Sequence, residues 1–350
     1  MPDNTLKINR IPSPTWNWLK MNETEIEKKE VCPGGQKYNE SVPGGIVRVS
    51  ESPDFGSDIK GGAGEVFDAK IKETTEETVF FSCGNGQVID QPVVIAAEYG
   101  GESVGGRRVV IEAQEGSRST FLTDFSGDAG TGRACFQTLI RVKKGAELTL
   151  VQTERLGSSF ELINDIGAVL EEDARLNIVH VFLGGGSIYQ GCNIKLSGDR
   201  SAVKKDIGYF LKGSQELDMN YVVVHEGKKT ECDIKTSGVM EGESSKLFRG
   251  TIDFKNGCAG SRGAEIEEVI LMDDGVHNKT IPVILCAEED VEGQHGASIG
   301  RLDEDLIFYM KSRGLREDEI YDLISKSRLH SFCSKIPDED IRAKTMTFER

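Results

Sequence analysis

Apolar and polar residues alternate through the middle of the chain. Leu217, Met219, Tyr221 and Val223 take every second place, and Phe248, Gly250, Ile252 and Phe254 do the same. Leu148 with Leu150, and Leu176 with Ile178, repeat the theme upstream. A period of two buries one face of a strand. Between these runs, glycine-centred turns fall at Gly198, Gly213, Gly227, Gly242 and Gly257, spaced 15, 14, 15 and 15 residues apart. Such a unit is too short for a strand, a crossover helix and a second parallel strand, because the crossover alone takes on the order of a dozen residues. The unit is therefore a strand and a turn, repeated. An antiparallel meander or sandwich fits this, and so does a β-solenoid with two or three units per coil. The fixed period favours the solenoid, since each coil stacks identically on the next.

The pattern differs at both ends. Residues 1–75 hold Trp16 and Trp18, a charged stretch at 22–30, and the Gly61-Gly62-Ala63-Gly64 break. They read as short helices and loops packed on something larger, with Thr15 or Asn22 placed to cap a helix. After Gly300 the text becomes helical. Asp303, Glu304 and Asp305 stand at a helix start, where carboxylates complement the macrodipole, and Gly314 suits its C′ position. A second helix follows Arg316, with Ile320, Leu323 and Ile324 on one stripe and Lys326 and Arg328 near its end. The expected organisation is an N-terminal region over 1–75, a strand core over 76–300 and a C-terminal helical region over 301–350.

Composition narrows the function. Forty glycines against nine prolines in 350 residues suit many tight turns. Lys plus Arg is 42 and Asp plus Glu is 58, a formal charge of −16 that argues against a nucleic-acid binder. The first 20 residues have no apolar leader core, and apolar runs such as 93–97 and 221–224 fall far short of the ~20 residues of a membrane helix. A cytoplasmic protein without membrane association is expected. The eight cysteines (Cys32, Cys83, Cys135, Cys192, Cys232, Cys258, Cys286 and Cys333) lie 26 to 57 residues apart, with no CxxC pair. This spacing excludes a zinc ribbon and suits buried thiols. None of His180, His225, His277, His295 and His330 stands in an HExxH motif, and there is no GxSxG elbow. Gly184-Gly185-Gly186-Ser187 lacks the spacing of a phosphate loop and reads as a turn between strands. No nucleotide-binding loop and no catalytic residue is expected; the chain reads as a non-enzyme.

The densest chemistry lies at 281–314. Cys286, the acids Glu288, Glu289 and Asp290, and His295 fall within ten residues, followed by the small residues Gly296, Ala297, Ser298 and Gly300. Imidazole and thiolate are both ligands for iron or zinc. On composition alone, His295 serves equally well as a strand-end cap and Cys286 as core. The run Glu289-Asp290-Val291, then His295-Gly296-Ala297-Ser298-Ile299-Gly300, then Leu302-Asp303-Glu304 and Phe308-Tyr309 through Ser312-Arg313-Gly314 resembles the SufB/SufD family of iron–sulfur cluster assembly proteins, in its SufD-like form. Leu183-Gly184-Gly185, Tyr189, Gly191, Leu196 and Gly198 look like a second landmark of that family.

The resemblance implies a right-handed parallel β-helix core flanked by N- and C-terminal helical regions. It implies pairing through the core with a SufB/SufD-type paralogue or a second copy, and a C-terminal region that binds a SufC-type ABC ATPase. Ile307, Met310, Arg313, Ile320, Leu323 and Ile324 would then supply or support that docking. A transient iron–sulfur cluster, or iron, would form at the core–core interface, with none permanently bound. His295 matches the SufD-type histidine there, and Cys286 is the nearest candidate thiol, ahead of Cys258. The cysteine that SufB-type members carry on the preceding strand is absent from 264–269, and Gly293 stands where some SufD-type members have another. The alternatives are a β-solenoid carbohydrate-active enzyme and a purely structural module without metal.

Overall fold

The computed structural model describes residues 4–14, 17–29, 36–52, 54–75, 77–100, 104–127 and 131–347. Thr15, Trp16 and Cys32 lie outside the described residues. In chain order the first elements are β1 (Thr5–Ile8), β2 (Thr24–Glu27), β3 (Gln36–Ser41), β4 (Ile46–Glu51), α1 (Glu65–Thr74), β5 (Thr78–Cys83), β6 (Val93–Tyr99), β7 (Val104–Ala113), β8 (Arg118–Gly127), β9 (Gly132–Val142), β10 (Glu147–Leu156) and β11 (Phe160–Leu170). There follow β12 (Arg175–Phe182), β13 (Ser187–Leu196), β14 (Ala202–Leu211), β15 (Glu216–His225), β16 (Glu231–Met240), β17 (Ser245–Phe254), β18 (Ser261–Leu271), β19 (His277–Cys286) and β20 (Val291–Gly300). The chain then runs through α2 (Glu304–Ser312), α3 (Glu317–Cys333) and α4 (Glu339–Met346).

From β5 onward, consecutive strands alternate between two facing nine-stranded sheets. Each strand pairs in parallel with the strand two places on: Glu147 aligns with Arg175, Arg175 with Ala202, and Ala202 with Glu231. Two strand-and-turn units therefore make one coil of a parallel β-solenoid. The turn glycines keep their spacing for two different reasons. Gly242 sits at φ +71°, where a side chain is strained. At Gly198 a Cβ would lie 2.0 Å from the backbone nitrogen of Glu172 in the turn one coil below, so the stacked turns leave no room for one.

The alternating residues face the lumen. Leu217, Met219, Tyr221 and Val223 are all buried, as are Phe248, Ile252 and Phe254. Polar groups share that lumen in pairs: His180 Nδ1 meets the Tyr221 hydroxyl at 2.7 Å, and Lys205 Nζ donates to Cys192 Sγ at 3.3 Å while lying over the Tyr221 ring. Buried polar groups persist when they find such partners.

The two ends are finished differently. At the N-terminal end β3 and β4 turn antiparallel and cover the edges of β6 and β5. This corrects the expectation of helices and loops over 1–75, since the stretch holds four strands besides α1. The β1–β2 hairpin is held against the odd-numbered sheet by Arg249, whose guanidinium donates to Met21 O (2.6 Å), Thr24 Oγ1 (2.8 Å) and Asp218 Oδ1 (2.7 Å). The Gly61–Gly64 break is a clamp: the backbone N–H groups of Gly62 and Ala63 both donate to Asp165 Oδ1 at 2.7 Å.

The C-terminal helices lie on the outer face of the even-numbered sheet. Cys333, Ile336 and Ile341 pack with Val151, Val179, Val181, Phe210 and Val239. Helix α3 extends past Arg328 to Cys333, and α4 is an element that the sequence reading missed. Phe332 fills the space over Gly208, where a Cβ would fall 2.3 Å from its ring. Gly208→Ala is expected to push Phe332 out and cost about 1–3 kcal/mol, the range for overpacking, read as a lower urea midpoint.

Burial, with Lys205 as a smaller cause, pushes His180 down to about 3. An unfolded histidine titrates near ~6.5, so on acidification the unfolded chain takes the proton first. The stability this group contributes is present above pH ~6.5 and is lost as pH falls from there toward 3. His180→Gln should lose less stability than the native chain between pH 7.5 and 5, whatever its stability at pH 7.5; equal losses in urea titrations would show that His180 does not set the slope.

Candidate functional site

The C-terminal end of the solenoid is open. Strands β19 and β20 terminate the two sheets side by side, each pairing on one side, with β17 and β18 respectively. Among the described residues nothing pairs with their other edges. Most of β20 is exposed along its length, and it carries Gly293, Gly296, Ala297, Ser298 and Gly300, small residues that let another backbone approach. Natural proteins usually cover or blunt such edges.

His295 sits in the middle of β20 and is exposed. Parallel register keeps faces aligned: Lys205, Ile234, Glu265 and His295 occupy one column, one per coil, and it points into the lumen. The imidazole therefore belongs to the mouth of the solenoid. Beneath it, Glu265 and Glu267 are both buried inward-facing carboxyls. Glu267 pairs with the buried Lys246 and accepts from Thr280 Oγ1 at 2.6 Å, while Lys246 also donates to Thr280 Oγ1 at 3.0 Å. Burial pushes Glu265 up to about 8, reinforced by the neighbouring Glu267 charge. Burial also lowers Lys246, against the pull of Glu267.

Cys286 is exposed at the end of β19, its thiol donating to Glu288 O at 3.0 Å. It is therefore not core, the alternative that composition left open. It is also set apart from His295: Gly293, between them along the mouth, faces Phe254 and Ile284, which fill that part of the lumen. Cys258 is buried with Ile252 and Phe254. Among the described residues no group of three His, Cys, Asp or Glu side chains comes together to hold a metal ion. The mouth offers ligands without closing a site.

The helical tail divides the residues expected for docking. Ile320 is fully buried and Ile324 packs into the apolar layer beneath α3, so both support the helix. Ile307 and Met310 are half-buried, whereas Arg313 and Leu323 are exposed. Helix α2 instead shows Phe308 at 74% exposure, Tyr309 at 56% and Leu306 at 39%. In the sequence, Phe308-Tyr309 enters only as part of the family-like run, and none of these three is named for docking; the structure exposes them because the nine-residue helix buries no side chain. Asp303 caps α2 by accepting from Leu306 N at 3.0 Å, and Gly314 follows at φ +93°, so both ends of the helix are as the sequence predicts.

The exposures set an order of thiol reactivity. Cys286 should be the fast-reacting thiol among the described cysteines, with Cys192, Cys232, Cys258 and Cys333 slow. Native thiol titration of Cys286→Ser is expected to lack one fast equivalent; an unchanged fast phase would contradict the exposed position.

A family model described as SUF system FeS cluster assembly, SufBD core domain, matches residues 96–328. The chain is 23% identical over 242 residues to the iron–sulfur cluster assembly protein SufD of Bacillus subtilis, covering 68% of this chain and 55% of that protein. It is 22% identical over 242 residues to a chloroplastic SufBD family protein of Arabidopsis thaliana, covering 66% and 43%. Against the cluster assembly protein SufB of B. subtilis it is 23% identical over 202 residues, covering 57% and 43%. The chain thus spans about half the length of the curated relatives it matches. With the family model covering most of the solenoid and running into α3, the chain belongs to the SufB/SufD family of the SUF iron–sulfur cluster assembly system.

Proposed function

We propose that the chain is a SufD-like subunit of a SUF assembly complex, acting as scaffold or scaffold partner for a nascent cluster at its open end. The observation that carries this reading is the pair of bare ten-residue edges, β19 and β20, with His295 between them and the lumen. Edge strands recruit further strands through main-chain hydrogen bonds, so a second solenoid of the same family is the complementary partner. Pairing would bury His295 at the seam and let the partner supply the ligands that this chain lacks. The cluster is cargo here, assembled and passed on.

The exposed face of α2 is the proposed seat of a SufC-type ABC ATPase. Phe308, Tyr309 and Leu306 would dock, with Arg313, whose guanidinium lies 5.2 Å from the Tyr309 ring centre, at the rim. Aromatic and arginine side chains dominate interface energies. Among the described residues no helix is long and apolar enough to cross a membrane.

Co-expression with a SufC-type ATPase and a SufB-type paralogue, followed by gel filtration, tests both surfaces. Phe308→Asp should remove the ATPase from the complex and leave solenoid pairing intact. Ala297→Pro, which deletes an edge N–H, should dissolve pairing and leave ATPase binding intact. His295→Ala should reduce cluster formed on anaerobic reconstitution while stability stays within about 0.5 kcal/mol, as at exposed positions without structural bonds. Retention of both partners by both surface variants, with full cluster yield from His295→Ala, would remove the basis for this reading.

A further inference from the structure

Glu265 is 4% exposed, yet among the described residues it makes no hydrogen bond and no ion pair. The contrast with Glu267, two residues along the same inward face, is direct: that carboxylate takes both Lys246 and Thr280. Space is reserved for Glu265 all the same. Its Oε2 lies 1.8 Å from where a Cβ would stand on Gly250 across the lumen, so the glycine makes room for the carboxyl. One coil further on, in the same column, comes His295 at the open mouth. A buried carboxyl with no hydrogen-bond donor is costly to ionise; the Lys246 and Lys205 charges favour it only through space, without an ion-pair contact, and the exposed His295 one coil on opens its column at the mouth.

We propose that Glu265 and His295 together form a half-site for a divalent cation, ferrous iron in the setting of cluster assembly. This rests on the reading of the open end as the place of assembly. The carboxylate oxygen and the imidazole nitrogen form the donor set that iron, cobalt and zinc accept. Two groups leave the remaining positions to sulfide, water or the pairing subunit, consistent with the absence of a three-residue cluster among the described residues. Glu265 gives the metal a place before a second solenoid arrives.

The test is anaerobic titration of the full chain with Co²⁺ alone, followed by visible absorption and calorimetry, with Glu265→Gln, Glu265→Asp, His295→Ala and the exposed control Glu289→Gln. Circular dichroism and thermal midpoints confirm the fold, and Glu265→Asp, which keeps the charge but shortens its reach, stands in if Glu265→Gln does not fold. The native chain and Glu289→Gln should bind one equivalent. The substitutions at Glu265 and His295 should each weaken it by about 10- to 100-fold and alter the cobalt spectrum. If His295→Ala weakens binding but both Glu265 variants match the native chain, Glu265 is no ligand, and the reading of His295 at the assembly seam survives. If none of these variants differs from the native chain, the half-site falls and that reading loses its metal.

Discussion

In-register stacking of coils is the constraint from which the rest of the molecule follows. Each strand satisfies both rows of its backbone groups by pairing with the coil below and the coil above, so an interior strand needs nothing else. The first and last coils each lack one neighbour. At the beginning of the solenoid, β3 and β4 reverse direction and cover the exposed edges. At the other end no such closure exists among the described residues, and β19 and β20 each leave one row of backbone donors and acceptors unpaired. The last coil is thus an unfinished layer, and it leaves His295 and Cys286 exposed without enclosing them.

Stacking also arranges chemistry along the axis. Because a column holds one residue per coil, Lys205, Glu265 and His295 pass from interior to mouth in a single line. Lys205 is fully buried beside Cys192 and Tyr221, Glu265 is nearly buried, and His295 is open. Lys205, far from the mouth, is paired, and Glu267 near it is paired as well; Glu265 is the buried carboxyl of this end without a hydrogen bond among the described residues. The same low-dielectric surroundings that press His180 toward neutrality also hold Glu265 above its usual range.

The helical tail is fastened to this body through α3. Helix α3 is keyed into the even-numbered sheet by Phe332 over Gly208 and by Arg328 donating to Ser237 Oγ at 2.9 Å, and just past its end Lys335 meets Asp206 at 2.8 Å. Helix α2 buries none of its residues and turns its aromatic side chains to solvent. A force applied at α2 would therefore pass through α3 to strand β14, whose next inward residue, Tyr209, packs within 1.9 Å of where Gly238 would carry a Cβ.

Local chemistry was enough to reveal much of this. The period of two in residues 217–223 and 248–254, and the turn glycines about 15 residues apart, disclose stacked strands, because alternation and turn geometry are properties of neighbouring residues. The caps of α2 were legible for the same reason: Asp303 and Gly314 act within a few positions of themselves. The run through His295 to Gly314 sufficed to suggest the family. Long-range encounters remained hidden. Glu265 is one acid among many in the chain until the coil above it puts His295 in its column and the facing sheet puts Gly250 opposite. Cys286 reads as core or as ligand until the last coil, lacking a successor, leaves it exposed. Sequence determined which residues could alternate, turn and cap; which of them would meet, and which would stand uncovered, was decided by stacking, since that alone brings residues 30 positions apart to adjacent strands and determines where the stack ends.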